Sequence, residues 1–259
     1  MKLFFPSAIL AFATLASAAP IQKKVSYSQG DETFEGVLVY DDSLTEPSPA
    51  ILMVPNWMGV TESAIEKATE VAGTSRVVFV ADMYGAEVRP TDMGEAGKAA
   101  GAVRADRPMM RQRAQLALDT FLKQEAPLDK EKTAAIGFCF GGGTVLELGR
   151  SGADLDAIVS FHGDLVSPTL TADADKTKAT VLVLHGAADP FVPQSDVAQF
   201  EAAMLATTVD WQLVQFSNTV HSFTDPLATM TGKAEYHELS NKRAFSYMNE
   251  LFATLFEGK

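Results

Sequence analysis

One cysteine in 259 residues is the first constraint this sequence imposes. No intrachain disulfide can form, so the fold must rest on its core. Histidine is scarce too, with four residues and no metal-ligand spacing between them and the cysteine. Basic residues are outnumbered, 21 Lys and Arg against 33 Asp and Glu, for a formal net charge of −12. An acidic chain without a basic, aromatic-interleaved patch argues against a nucleic-acid partner. The glycines match no nucleotide-binding fingerprint, and no cofactor is called for. Beyond the first residues no apolar run reaches the ~20 residues of a membrane-spanning helix.

What is present begins with a leader. Lys2 gives a minimal positive start, Leu3 to Leu15 is almost wholly apolar, and Ala16-Ser17-Ala18 is a small-residue cleavage site. That order predicts a signal peptide over 1–18 and export to a periplasm or the cell exterior. Losing Lys2 takes the net charge to about −13. The remainder, 19–259, has the length of one α/β domain and is expected to be a monomer free of the membrane. In an oxidising compartment its lone thiol must be buried or used, so the surroundings of Cys139 matter.

Hydrophobic patterning gives the fold class. Lys24 to Gln29 and Thr33 to Tyr40 alternate about Gly30-Asp31, predicting an antiparallel N-terminal hairpin. From Ala50 strands at 156–161 and 209–216 join short continuous apolar runs that replace alternation: AILMVP (50–55), VVFVAD (77–82), 133–138 and 180–185. Such runs are strands buried on both faces. Between them lie helical segments at 61–72, 108–124, 141–149 and 194–205, with a long terminal helix expected over 232–256. Strand and helix in alternation predict an α/β protein, a mostly parallel twisted sheet with helices on both faces. The Gly- and Ala-rich stretch 84–106 is either a loop with a short helix beside a cleft or a surface excursion.

Ligands bind such sheets at the carboxyl ends of the strands, and three residues fall there. Gly137-Phe138-Cys139-Phe140-Gly141 joins a buried strand to a helix, the pattern of a nucleophile elbow with Cys in place of Ser. Glycines are needed where the chain turns sharply, and the following helix N-terminus favours a thiolate. Alone, the motif also fits a buried structural cysteine. Asp189 and His221 follow in turn, each just beyond a later strand. Nucleophile, acid, histidine is the order used by α/β-hydrolases. His162 either lines the pocket or is a hydrogen-bonded structural residue; His185 reads as structural and His237 as a surface helix residue.

With AILMVPNWMGV (50–60), ADMYG (81–85), GFCFGG (137–142), HGAADPFVP (185–193) and HSF (221–223), nearly all of the mature chain resembles the dienelactone hydrolase family. The resemblance implies an α/β-hydrolase fold and a Cys139–His221–Asp189 triad acting on a small ester or lactone. It also implies an oxyanion hole built from the backbone N–H groups of Trp57 and Phe140. Asn56, Tyr84, His162 and Asp225 become candidate substrate contacts. Two positions depart from the dienelactone-cleaving pattern. Asn56 stands where those members place a glutamate that tunes the cysteine, and Asp225 where they place an arginine for the substrate carboxylate. Arg89, Arg104 and Arg107 are possible replacements for that cation. The competing readings are a non-catalytic small-molecule-binding protein on the same scaffold and a thiol redox sensor, although a sensor usually has a resolving cysteine.

Overall fold

The computed structural model describes residues 20–257, so the expected signal peptide lies outside the described residues. Strands β1 (Pro20–Gln29) and β2 (Glu32–Asp41) pair antiparallel around Gly30, whose φ of 58° a side chain would resist. The α/β part follows as β3 (Ser48–Val54), α1 (Glu62–Ala72), β4 (Val77–Val80), α2 (Met93–Ala105) and α3 (Arg107–Phe121). It continues through β5 (Leu128–Phe138), α4 (Phe140–Arg150), β6 (Ala157–Phe161), α5 (Leu170–Asp173) and β7 (Thr180–Gly186). The last elements are α6 (Gln194–Leu205), β8 (Trp211–Phe216), a small β9–β10 hairpin (Thr229–Met230, Ala234–Glu235) and α7 (Glu238–Phe256).

One sheet of eight strands runs β1-β2-β4-β3-β5-β6-β7-β8. The hairpin joins it antiparallel through β2 and β4, and every later pairing is parallel. Strand side chains alternate between faces, which divides the core in two. Ala50, Leu52 and Val54 pack toward α3 and α4, whereas Ile51 and Met53 pack toward α1 and α7. Both faces are therefore covered, as the continuous apolar runs require.

Two expectations fail locally. The terminal helix starts at Glu238, not Gly232, because 229–235 pairs as the hairpin and Ala234 bridges to His221. His237 is accordingly the cap of α7, accepting the Ser240 N–H at 3.2 Å, and not a residue on the helix surface. The undecided stretch 84–106 holds the 13-residue helix α2, whose first N–H groups are capped by Asp92.

Strand order reverses direction at β3, with β4 on one side and β5 on the other. A crevice opens outside the strand ends at such a switch point. Cys139, His162, Asp189 and His221 all sit just past the ends of β5, β6, β7 and β8.

Candidate active site

β5 ends at Phe138 and α4 begins at Phe140, so Cys139 alone makes the turn, with φ 53° and ψ −115°. A non-glycine residue held there costs on the order of 1–3 kcal/mol and persists only where its surroundings over-determine it. They do. A Cβ on Gly141 would overlap the Val54 carbonyl oxygen, and one on Gly137 would overlap the Gly141 backbone. The two glycines let α4 start directly against β3. The Cys139 N–H is fixed from behind, shared between the Phe161 carbonyl at 3.0 Å and His162 Nδ1 at 3.1 Å.

His162 is wholly buried, and burial followed by the nearby charge of His221 holds its pKa well below the ordinary 6.5. It is neutral. Since Nδ1 accepts from Cys139, the ring proton sits on Nε2 and points to Thr224 Oγ1 at 2.8 Å. The ring thus ties the elbow to the loop carrying His221.

Asp189 and His221 are both buried, and Asp189 Oδ2 lies 2.7 Å from His221 Nδ1. The other carboxylate oxygen accepts the N–H groups of Phe191 and Val192 at 2.8 and 3.2 Å, which aims the acid. The His221 backbone is clamped by Lys233 and Glu235 through two hydrogen bonds of 3.1 Å. Burial opposes charge on the His221 ring, but the Cys139 charge, then hydrogen bonds to Asp189 and Cys139, outweigh it and push its pKa up to about 10. The raised value means that the pair's contribution to stability is complete below the ordinary 6.5 and is lost as pH rises through about 10. The foremost raising influence is Cys139. An NMR titration of the His221 ring is therefore expected to show a midpoint near pH 10 that drops in Cys139→Ala. An unchanged midpoint would assign the effect to Asp189 alone.

The turn after β3 supplies the remaining parts. Neither the Trp57 N–H nor the Phe140 N–H bonds to any backbone acceptor among the described residues. The Trp57 carbonyl is held by the Tyr84 hydroxyl at 2.9 Å. Tyr84 is placed by Asp82, a buried carboxylate that accepts the Tyr84 and Gly85 N–H groups and pairs with Arg89 at 3.1 Å. Asp82 was not singled out from the sequence, although it stands in the ADMYG landmark.

Cys139 and His221 open into one cavity of about 770 Å³, lined also by Asn56, Trp57, Arg104 and Asp225. Of the candidate substrate contacts, Asn56 and Asp225 face this cleft, while Tyr84 and His162 stand behind it. Of the three arginines, only Arg104 lines the cleft; Arg89 is tied to Asp82 and Arg107 turns to Met110. Arg104 is itself engaged, 2.6 Å from Asp164 and over the Phe140 ring at 5.3 Å. His185 is fully buried at the end of β7 and does not line the cleft.

The family model described as the dienelactone hydrolase family matches residues 34–256. This chain belongs to the dienelactone hydrolase family. A dienelactone hydrolase-like promiscuous phosphotriesterase from metagenomic libraries has a similar solved structure. It is 38% identical, with a TM-score of 0.85, over 92% of this chain and 99% of that one. A Salmonella typhimurium protein whose name provisionally makes it a carboxymethylenebutenolidase is 25% identical over 79% of this chain and 77% of its own. An uncharacterized Caenorhabditis elegans protein is 36% identical over 40% of this chain and 67% of its own.

For a dienelactone hydrolase family member, the two departures noted in the sequence have a joint explanation. Asn56 Oδ1 accepts the Met58 N–H at 3.0 Å, which turns Nδ2 toward Asp225 Oδ2 at 3.3 Å. The other Asp225 oxygen accepts the Leu227 N–H at 2.9 Å. Positions 169 residues apart in sequence are one hydrogen-bonded unit at the wall of the cleft. No single-sequence signal could have paired them.

Proposed function

We propose that this hydrolase cleaves carboxylic esters or lactones through a thioester on Cys139. The observation that carries the reading is the shared cleft, in which a cysteine on a forced elbow meets a buried His221–Asp189 pair. Cys139 Sγ attacks the substrate carbonyl carbon, and the carbonyl oxygen takes up the electron pair as an alkoxide. The Trp57 and Phe140 N–H groups, both without backbone acceptors, stabilise that charge. Collapse breaks the C–O bond, and His221 Nε2 gives its proton to the departing alkoxide. His221, oriented by Asp189, then takes a proton from water, whose oxygen attacks the thioester and frees the acid.

Rapid mixing with p-nitrophenyl acetate should give a burst of nitrophenolate stoichiometric with enzyme and an acetyl group on Cys139 by mass spectrometry. Turnover that persists undiminished in Cys139→Ala would exclude the thioester route. The similar phosphotriesterase is a specific reason to include a neutral phosphotriester in the same panel. A binding-only protein would have no use for the buried acid–imidazole pair. A redox sensor would lack a resolving partner, since Cys139 is the single cysteine.

Charge at the cleft wall bears on specificity. Asp225 repels a substrate carboxylate where the dienelactone-cleaving pattern places an arginine, a change of roughly 1–3 kcal/mol or about tenfold and more in affinity. Neutral lactones should therefore be cleaved with higher kcat/KM than carboxylate-bearing analogues, and Asp225→Arg should narrow or reverse the ratio. A wild-type preference for the anion would mean that Arg104, despite Asp164, serves as the cation. We further propose export, on the leader alone. Exported protein should begin at or near Ala19, and a mature chain retaining Met1 would refute this.

A further inference from the structure

Nine large hydrophobic side chains are exposed among the described residues, and four of them ring the catalytic cleft. Met93 is 62% exposed, Phe191 51%, Leu227 71% and Met230 41%. They come from three separate segments: the start of α2, the loop holding Asp189, and the stretch running into and through β9. Soluble proteins rarely gather such residues in one place without a use for them. Here the ring continues inward through Trp57 and Met58 to the wall that carries Cys139 and His221. The cavity's 770 Å³ lies within the range of sites that enclose a drug-sized molecule.

The charged side chains of this cleft are already partnered, Arg104 with Asp164, Asp225 with Asn56, and His221 with Asp189. Thr61, Ser63, Ser222 and Thr229 add hydroxyls, but most of the surface the cleft exposes is apolar. Methionines at two of the four positions adapt to chains of different shape. Phe191 also lies edge-on to the His221 ring, 5.3 Å between centroids at 77°, which joins the rim directly to the wall of the reacting centre. We infer that the rim is an acyl subsite, and that the substrates are neutral esters of medium-chain or similarly bulky lipophilic acids. This rests on the ester hydrolase reading above and adds to it the class of acid.

The test separates binding from turnover. In Cys139→Ala, calorimetric affinity for uncharged alkanamides should rise by at least about tenfold from butanamide to octanamide, since each fully buried methylene is worth about fourfold. In wild type, kcat/KM for p-nitrophenyl octanoate should exceed that for the acetate by a similar margin. Combining Met93→Ser, Leu227→Ser and Met230→Ser should flatten both series. Leu205→Ser, on exposed surface of α6 that does not line the cleft, should change neither. A flat alkanamide series in Cys139→Ala overturns the subsite. So does a steep series that survives the triple substitution. A dimer that dissociates in the triple variant, together with a flat series, would assign the rim to a second copy of the chain and overturn it too. A steep amide series without turnover of any ester would leave the subsite standing and remove the ester hydrolase reading instead.

Discussion

Cys139→Ala is expected to yield a folded protein whose ester hydrolysis falls about 10⁴-fold or more, equivalent to at least about 5 kcal/mol of transition-state stabilisation. Folding should survive because the elbow is set by other atoms. Gly137 and Gly141 provide the close approach, and the Cys139 N–H bonds to Phe161 and His162 do not involve the side chain. Alanine retains the Cβ and removes only sulfur. The His221–Asp189 pair remains, so any residual rate measures base-assisted attack by water without a covalent step. Circular dichroism should match wild type and the thermal midpoint should fall only by the share that the Cys139–His221 interaction contributes, while the nitrophenolate burst disappears. Full activity in the variant would remove Cys139 from the reaction. Cys139→Ser should also be poor, since a hydroxyl demands a stronger base than a thiol does.

Asp189→Asn should lower kcat by about 10²–10⁴-fold, with little change in KM. The amide is nearly isosteric and can still accept the Phe191 and Val192 N–H groups that hold the wild-type carboxylate. What changes lies 2.7 Å from His221 Nδ1, where an N–H₂ would replace a negative oxygen. Two donors then face each other unless the imidazole surrenders its Nδ1 proton, and surrender places the remaining proton on Nε2. A ring in that state cannot take a proton from water. The pKa of His221 should fall as well, because one of the hydrogen bonds that raise it is gone. A drop in kcat without any fall in the His221 titration midpoint would contradict this account. A loss confined to KM would instead assign Asp189 to shaping the cleft through Phe191.

The parallel strands were legible because burial on both faces leaves no freedom for alternation; AILMVP and VVFV could hardly be anything else. The order Cys139, Asp189, His221 was legible because each residue follows a strand end, which topology turns into proximity. Local pattern failed where long-range pairing decided the structure. Residues 232–237 carry helical character, yet the bridge from Ala234 to His221 takes them out of α7. α2 was blurred by glycine and alanine spread around its circumference, although the Asp92 cap was a usable start signal. Tyr84, a candidate substrate contact by sequence, stands instead behind the turn after β3, where its hydroxyl holds the Trp57 carbonyl. Side-chain direction off an irregular loop depends on partners, here Asp82 and Trp57, that a linear reading cannot bring together.

The Asn56–Asp225 hydrogen bond makes paired substitution at this wall depend on its order. A glutamate introduced at 56 while Asp225 remains would set two carboxylates at the separation now spanned by that bond, about the least favourable neighbours available in a partly buried wall. An arginine introduced first at 225 brings a second donor up to Asn56 Nδ2, a smaller conflict than two facing carboxylates because the amide is neutral. A route toward a carboxylate-binding cleft is therefore easier in one order and obstructed in the other. The two replacements should show strong epistasis, harmful singly at 56 and tolerated once 225 has changed. Relatives with a cation at 225 and a neutral residue at 56 are then the expected intermediates, and relatives with acids at both positions should be rare.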